Sequence, residues 1–161
     1  MPTNALTRRA ALLSFGAFAS VGLSGCNTPG AGVQPAGASA LGIGAIDVDT
    51  TPLVAYVGNP TAGWAQAALP AALAQVLGSG APGGPPLQVR IDTLYLGGGG
   101  PADPDSMRGV ATFGGRTIHV HGVSTYFANP TDQALPEQAL QGRVQAVSQA
   151  FAYRLRRKLR A

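Results

Sequence analysis

The chain has 161 residues, a formal net charge of +4, 45% hydrophobic residues, 6% aromatics and a single cysteine. That length suits one domain with one core, and a lone cysteine excludes an intrachain disulfide framework. Glycine (23) and proline (13) are frequent, so the chain reads as globular but rich in loops, its apolar share mostly alanine and small aliphatics.

The charge is concentrated at the two ends. Arg8 and Arg9 stand near the start, and Arg154, Arg156, Arg157, Lys158 and Arg160 crowd the last turns of a C-terminal helix. Between them Arg90, Arg108, Arg116 and Arg143 are outnumbered by 7 acidic residues. The middle of the chain is therefore acidic, and no aromatics alternate with the basic residues as a single-strand nucleic-acid groove requires.

Thr7-Arg8-Arg9 leads into a moderately apolar run from Ala10 to Gly25. A charged start followed by a short apolar stretch is the pattern of an export signal, and the run falls short of the roughly 20 residues that span a bilayer. It closes on Leu23-Ser24-Gly25-Cys26, which resembles the lipobox of bacterial lipoproteins: a leucine, two small residues and an obligatory cysteine. The resemblance implies a diacylglyceryl group on the Cys26 sulfur and cleavage before it, so that residues 1–25 form a removed signal peptide. Thr7-Arg8-Arg9 also resembles the twin-arginine export signal, although Ala11 stands where that family prefers Phe or Leu. Sec and twin-arginine export both stay open. Two or more acyl chains, each methylene contributing about 0.8 kcal/mol on burial, anchor a protein stably. The expected product is tethered to the cell membrane or outer membrane and faces the periplasm; Asn27, where inner-membrane lipoproteins often carry Asp, leans towards the outer membrane.

Residues 26–44 after the cleavage point (NTPGAGVQPAGASALGIG beyond Cys26) carry no charge and no periodicity, which reads as a flexible tether. Residues 45–161 then read as one α+β periplasmic domain. A first strand is expected at Leu53 to Val57, because Pro52 is better placed before a strand than inside one. Asn59-Pro60-Thr61 offers a cap for a helix over Ala62 to Leu77, with Trp64 as a core anchor and a kink at Pro70. After the GSGAPGGPP loop, Leu87, Val89 and Ile91 alternate with Gln88, Arg90 and Asp92, a half-buried strand. Gly97 to Asp105 reads as a loop whose glycines lack any phosphate-binding pattern.

Met107 to Phe113 and Arg116 to Phe127 flank Gly114-Gly115, a dipeptide suited to a two-residue hairpin turn. In the second arm Ile118 and Val120 share one face, and Thr117, His119 and His121 share the other. Leu135-Pro136-Glu137 opens the last helix, in which Leu140, Val144, Val147, Phe151, Leu155 and Leu159 recur every three or four residues. Its basic end complements the helix dipole.

Chemistry-bearing residues are few. His119-x-His121 has a spacing that can bind zinc, but a site would need further ligands from Asp92, Asp103, Asp105 or Asp132. A Ser124, His121, Asp92 triad can be written down, without a nucleophile elbow to support it. No cofactor is called for. The basic residues Arg154, Arg156, Arg157, Lys158 and Arg160 read either as a solvated helix end or as a contact for anionic phospholipid or a partner.

The elements, in the order β-α-β-β-α, suit a two-layer sandwich: a small antiparallel sheet with two helices on one face. Together with the lipobox, that order resembles the small periplasmic lipoproteins that serve as auxiliary components of ABC-type envelope transporters or as assembly factors for outer-membrane machinery. The resemblance implies a non-catalytic accessory binding an envelope protein or lipid. The alternatives are a small periplasmic metal-dependent or hydrolytic enzyme using the His119/His121 face, and a structural surface lipoprotein.

Overall fold

The computed structural model describes residues 41–98, 100–127, 132 and 135–161. The signal residues Arg8, Arg9, Leu23, Ser24 and Gly25, the lipidation residue Cys26 and most of the tether lie outside them. The described elements are β1 (Ile46–Asp49), a 3-10 turn (Thr51–Leu53), α1 (Val54–Leu77), β2 (Leu87–Tyr95), β3 (Asp105–Phe113), β4 (Arg116–Ser124) and α2 (Pro136–Leu159). They build the α+β sandwich read from the sequence, with a four-stranded sheet and two helices in the order β-α-β-β-β-α, one strand more than the expected β-α-β-β-α because both arms of the Gly114-Gly115 hairpin count.

Alternation decides which face of the sheet meets the helices. Leu87, Val89 and Ile91 of β2, Met107 and Ala111 of β3, and Ile118 and Val120 of β4 are all buried, while Gln88, Arg90, Arg108, Thr117, His119 and His121 point the other way and are exposed. The helices cover only the first set. From α1 come Ala62, Ala65, Leu69, Leu73 and Val76, and from α2 come Val144, Val147, Phe151 and Leu155, all buried in the same core. Each large side chain so buried contributes about 1.5–3 kcal/mol. Along α2 the expected apolar row holds from Val144 to Leu155, whereas Leu140 is exposed. Among the described residues, no helix packs over the opposite face of the sheet.

The sheet runs in the order β1-β2-β3-β4 and is mixed rather than wholly antiparallel as expected, because β1 pairs parallel to β2 and the other pairs are antiparallel. A parallel pair needs a crossover, and α1 is that crossover. Gly114 (φ 55°) and Gly115 (φ 77°) make the β3–β4 turn, where both central residues need positive φ. Gly122 has a different role. A Cβ there would lie 2.6 Å from the Phe151 backbone, so the missing side chain is what lets α2 pack directly on β4.

Three local expectations are corrected. The first strand is Ile46–Asp49 rather than Leu53 to Val57, which form the end of the 3-10 turn and the first turn of α1. Asp49 explains the early stop: its carboxylate accepts a 2.9 Å hydrogen bond from the Thr51 N–H, an Asx turn that bends the chain, and Pro52 sits in the first helical positions it favours. Gln66 ties the turn to the helix, since Thr50 Oγ1 donates to Gln66 Oε1 at 2.7 Å and Gln66 Nε2 donates to the Val48 carbonyl at 3.1 Å.

The break in α1 lies at Gly58 (φ 74°, ψ 167°), ahead of Asn59-Pro60, and not at Pro70. Pro70 forgoes one helical hydrogen bond, to the carbonyl of solvent-exposed Gln66, and the surrounding backbone stays helical. Leu41 to Gly44 join the domain instead of the tether: Ile43 is buried, the Gly44 N–H donates to Pro85 O at 3.0 Å and the Ala81 N–H donates to Ile43 O at 3.0 Å.

Candidate functional site

Two charge clusters are built on β3, β4 and α2. The first is closed. Asp105, at the start of β3, is buried, and Arg143 of α2 reaches it with two nitrogens, Nε donating to Oδ2 at 3.1 Å and Nη2 to Oδ1. The same Nη2 donates to the Gly97 carbonyl, while the Gly97 N–H donates to Asp105 Oδ1 at 3.0 Å. The Arg143 guanidinium also lies 4.9 Å from the centre of the Tyr126 ring, and the Tyr126 hydroxyl donates to Asp132. Asp105 holds the Arg143 proton more firmly than usual. Asp103 accepts from the Tyr95 hydroxyl at 3.0 Å and from the Gly98 N–H. Every charge in this cluster has a partner, and its product is a glycine-rich loop latched to a helix.

The second cluster is open. On the face away from the core, register sets Thr93, Arg108 and His121 side by side across β2, β3 and β4, with Val110 and His119 in the next row. A bulge between Ile91 and Thr93 turns both Asp92 and Thr93 towards this face. Because β4 is the edge of the sheet, the last two turns of α2 come up beside it. Arg154, Arg157 and Lys158 thereby line one groove of about 680 Å³ together with Asp92, Thr93, Arg108, His119 and His121. Gly109, Val120 and Ala161 complete the lining. A smaller depression continues along the β4 edge past Val123 and Tyr153 and shares His121, Arg154 and Arg157.

The groove gathers positive charge without balancing it. Asp92 is engaged by Arg90 at 2.9 Å, and among the described residues Arg108, Arg154, Arg157 and Lys158 have no ion pair. His121 registers this field: burial first, then Arg108 and Arg154, hold its imidazole below the usual histidine range. A groove of this size lies within the range of small-molecule sites, and its chemistry suits an anion.

The residues singled out from the sequence divide between these places. His119 and His121 do share one face, and Arg154, Arg157 and Lys158 meet them in the groove, whereas Arg156 and Arg160 do not line it. The carboxylates considered as metal ligands are committed elsewhere: Asp105 to Arg143, Asp103 to Tyr95 and Gly98, Asp132 to Tyr126 and Asp92 to Arg90. Among the described residues no three His, Cys, Asp or Glu side chains gather as a metal site. Ser124 follows the inward-facing parity of Val120 and Gly122, so the triad with His121 does not assemble.

Trp64 is half-buried against the core and borders a cleft between the helices lined by Gln75, Gln141, Gln145 and Gln149. Arg108 was missed as a site residue. Its signal was present in the sequence, since the hairpin through Gly114-Gly115 fixes the pairing that brings it opposite His121.

The site belongs to a small α+β sandwich with one open sheet face and a cationic groove. Compared with known proteins, the chain matches no family model, no curated protein and no solved structure.

Proposed function

We propose that this protein is a lipid-anchored lipoprotein of the bacterial cell envelope, held on the cell membrane or outer membrane and facing the periplasm, where it acts as a non-catalytic accessory that binds an envelope protein or lipid. The observation that carries the reading is Leu23-Ser24-Gly25-Cys26 at the end of a short apolar run behind Arg8-Arg9. The sheet supports a binding role, because among the described residues the face opposite the core is bordered only by the C-terminal turns of α2, which form a cationic groove with it, while Asp92, Asp103 and Asp105 are engaged by other groups.

The test is crosslinking in cells followed by affinity purification of the intact protein, with Cys26→Ala as the unanchored control. Defined envelope components copurifying with the wild type and lost in Cys26→Ala is the expected result. Equal recovery from both forms would remove the anchor from the account, and recovery of no envelope component would remove the protein partner from the accessory role.

A further inference from the structure

We infer that the groove between the open sheet face and the C-terminal turns of α2 is a binding site for the phosphate headgroup of an anionic phospholipid, with Arg108, Arg154, Arg157 and Lys158 as its cationic ligands and His119 and His121 as its floor. The inference deepens the envelope reading, since the anchor is what would bring this groove to a lipid surface.

Three observations converge on it. The four cations come from two separate elements, β3 and α2, and line one concavity of about 680 Å³, with no ion pair to any of them among the described residues. Cations placed together in this way repel one another; the helix dipole favours Arg157 and Lys158 at the end of α2, but it gives no reason for Arg108 of β3 to converge on them, which an anion among them would. Arginine supplies planar forks that match phosphate oxygens two at a time, and lysine a compact third charge.

The size and lining then select among anions. A bare phosphate would fill only a fraction of the space. The rest of the wall is the backbone of Gly109 and Val120 and the aliphatic stems of the same arginines and lysine, which can lie along apolar matter while their heads stay on the phosphate. The depression running on along the β4 edge past Val123 and Tyr153, both exposed, continues that apolar path from the charged end. An anion with an apolar body fits this sequence of surfaces better than a free ion.

The experiment uses the full mature lipoprotein in a non-ionic detergent, observed by NMR at the imidazoles of His119 and His121. Dihexanoylphosphatidylglycerol, dihexanoylphosphatidylcholine and inorganic phosphate are titrated separately. The expected result is a saturable shift of both imidazoles with phosphatidylglycerol, about tenfold or more tighter than with either other probe. The Arg154→Gln/Arg157→Gln variant is expected to weaken that binding about tenfold or more. Arg116→Gln, an exposed cation at the start of β4 outside the groove, is expected to leave it unchanged.

Equal response to the two lipids, equal binding of phosphate alone, or equal weakening by Arg116→Gln would overturn the assignment. Failure here with anchor-dependent copurification intact would remove the groove assignment alone. Lipid binding without such copurification would leave the groove standing and remove the protein partner from the accessory role.

Discussion

Arg143 and Arg154 lie about three turns apart on the same helix and live in opposite circumstances. Arg143 is surrounded: two bonds to buried Asp105, one to the Gly97 carbonyl and a ring beneath it. Arg154 lines an open groove beside Arg108, Arg157 and Lys158, with Asp92, the groove's carboxylate side chain, already engaged by Arg90. The difference separates charge used to hold a fold from charge left available for a ligand. A buried charge must be compensated or the state is lost, whereas exposed cations without partners cost little in water and gain only when an anion arrives.

The sharpest way to break this contrast is to unpair the buried side. Arg143→Met strands the Asp105 carboxylate and is expected to cost about 3–5 kcal/mol in urea unfolding. A variant that replaces both partners, Asp105→Leu with Arg143→Met, should recover much of that loss, and failure to recover would mean that the loop bonds, not the ion pair, carry the cost. Next in size, Gly122→Ala forces a methyl group against the Phe151 backbone and is expected to lose about 1–3 kcal/mol by the same measurement. An unchanged midpoint would show that α2 does not rest on β4 as closely as described.

On the open side the expected effects on stability are small. Arg154→Gln with Arg157→Gln should change unfolding free energy by no more than about 0.5 kcal/mol, and a large loss would make these arginines part of the architecture. The same substitution at Arg154 should raise the titration of His121 towards its ordinary value, because a repelling cation is removed; an NMR pH titration reads this directly.

The sign of the linkage is fixed by that depression. His121 binds its proton less readily folded than unfolded, so its contribution to stability is neutral above the unfolded pKa. It becomes a cost as pH falls through that value, about 6.5, and on through the lower folded one. His121→Gln should therefore remove part of the loss of stability on acidification and leave neutral pH unaffected.

Periodicity made most of the sandwich legible in the sequence. The alternation Leu87, Val89, Ile91 and the two-glycine turn fixed β2, β3 and β4 with their inward faces, and the row from Val144 to Leu155 fixed α2. The β1 region was harder, because Leu53-Val54-Ala55-Tyr56-Val57 has the composition of a strand. Its true state follows from Asp49-Thr50-Thr51-Pro52, a turn-and-helix-start pattern that local β-propensity obscured.

The groove was half legible. Parity along β4 put His119 and His121 together, and the basic end of α2 was evident from composition. Arg108 was legible too, through the hairpin register that sets it opposite His121, but that the end of α2 meets them depends on β4 being the edge strand and on Gly122 letting α2 lie close beside it. Such tertiary facts have no short-range signature.

The measurement closest to the centre of the account is metabolic labelling of cells with a clickable palmitate analogue, comparing the intact chain with Cys26→Ser. The account predicts a labelled, membrane-bound protein whose label and membrane retention are both lost in Cys26→Ser. An unlabelled wild type, or label that survives the substitution, would contradict it.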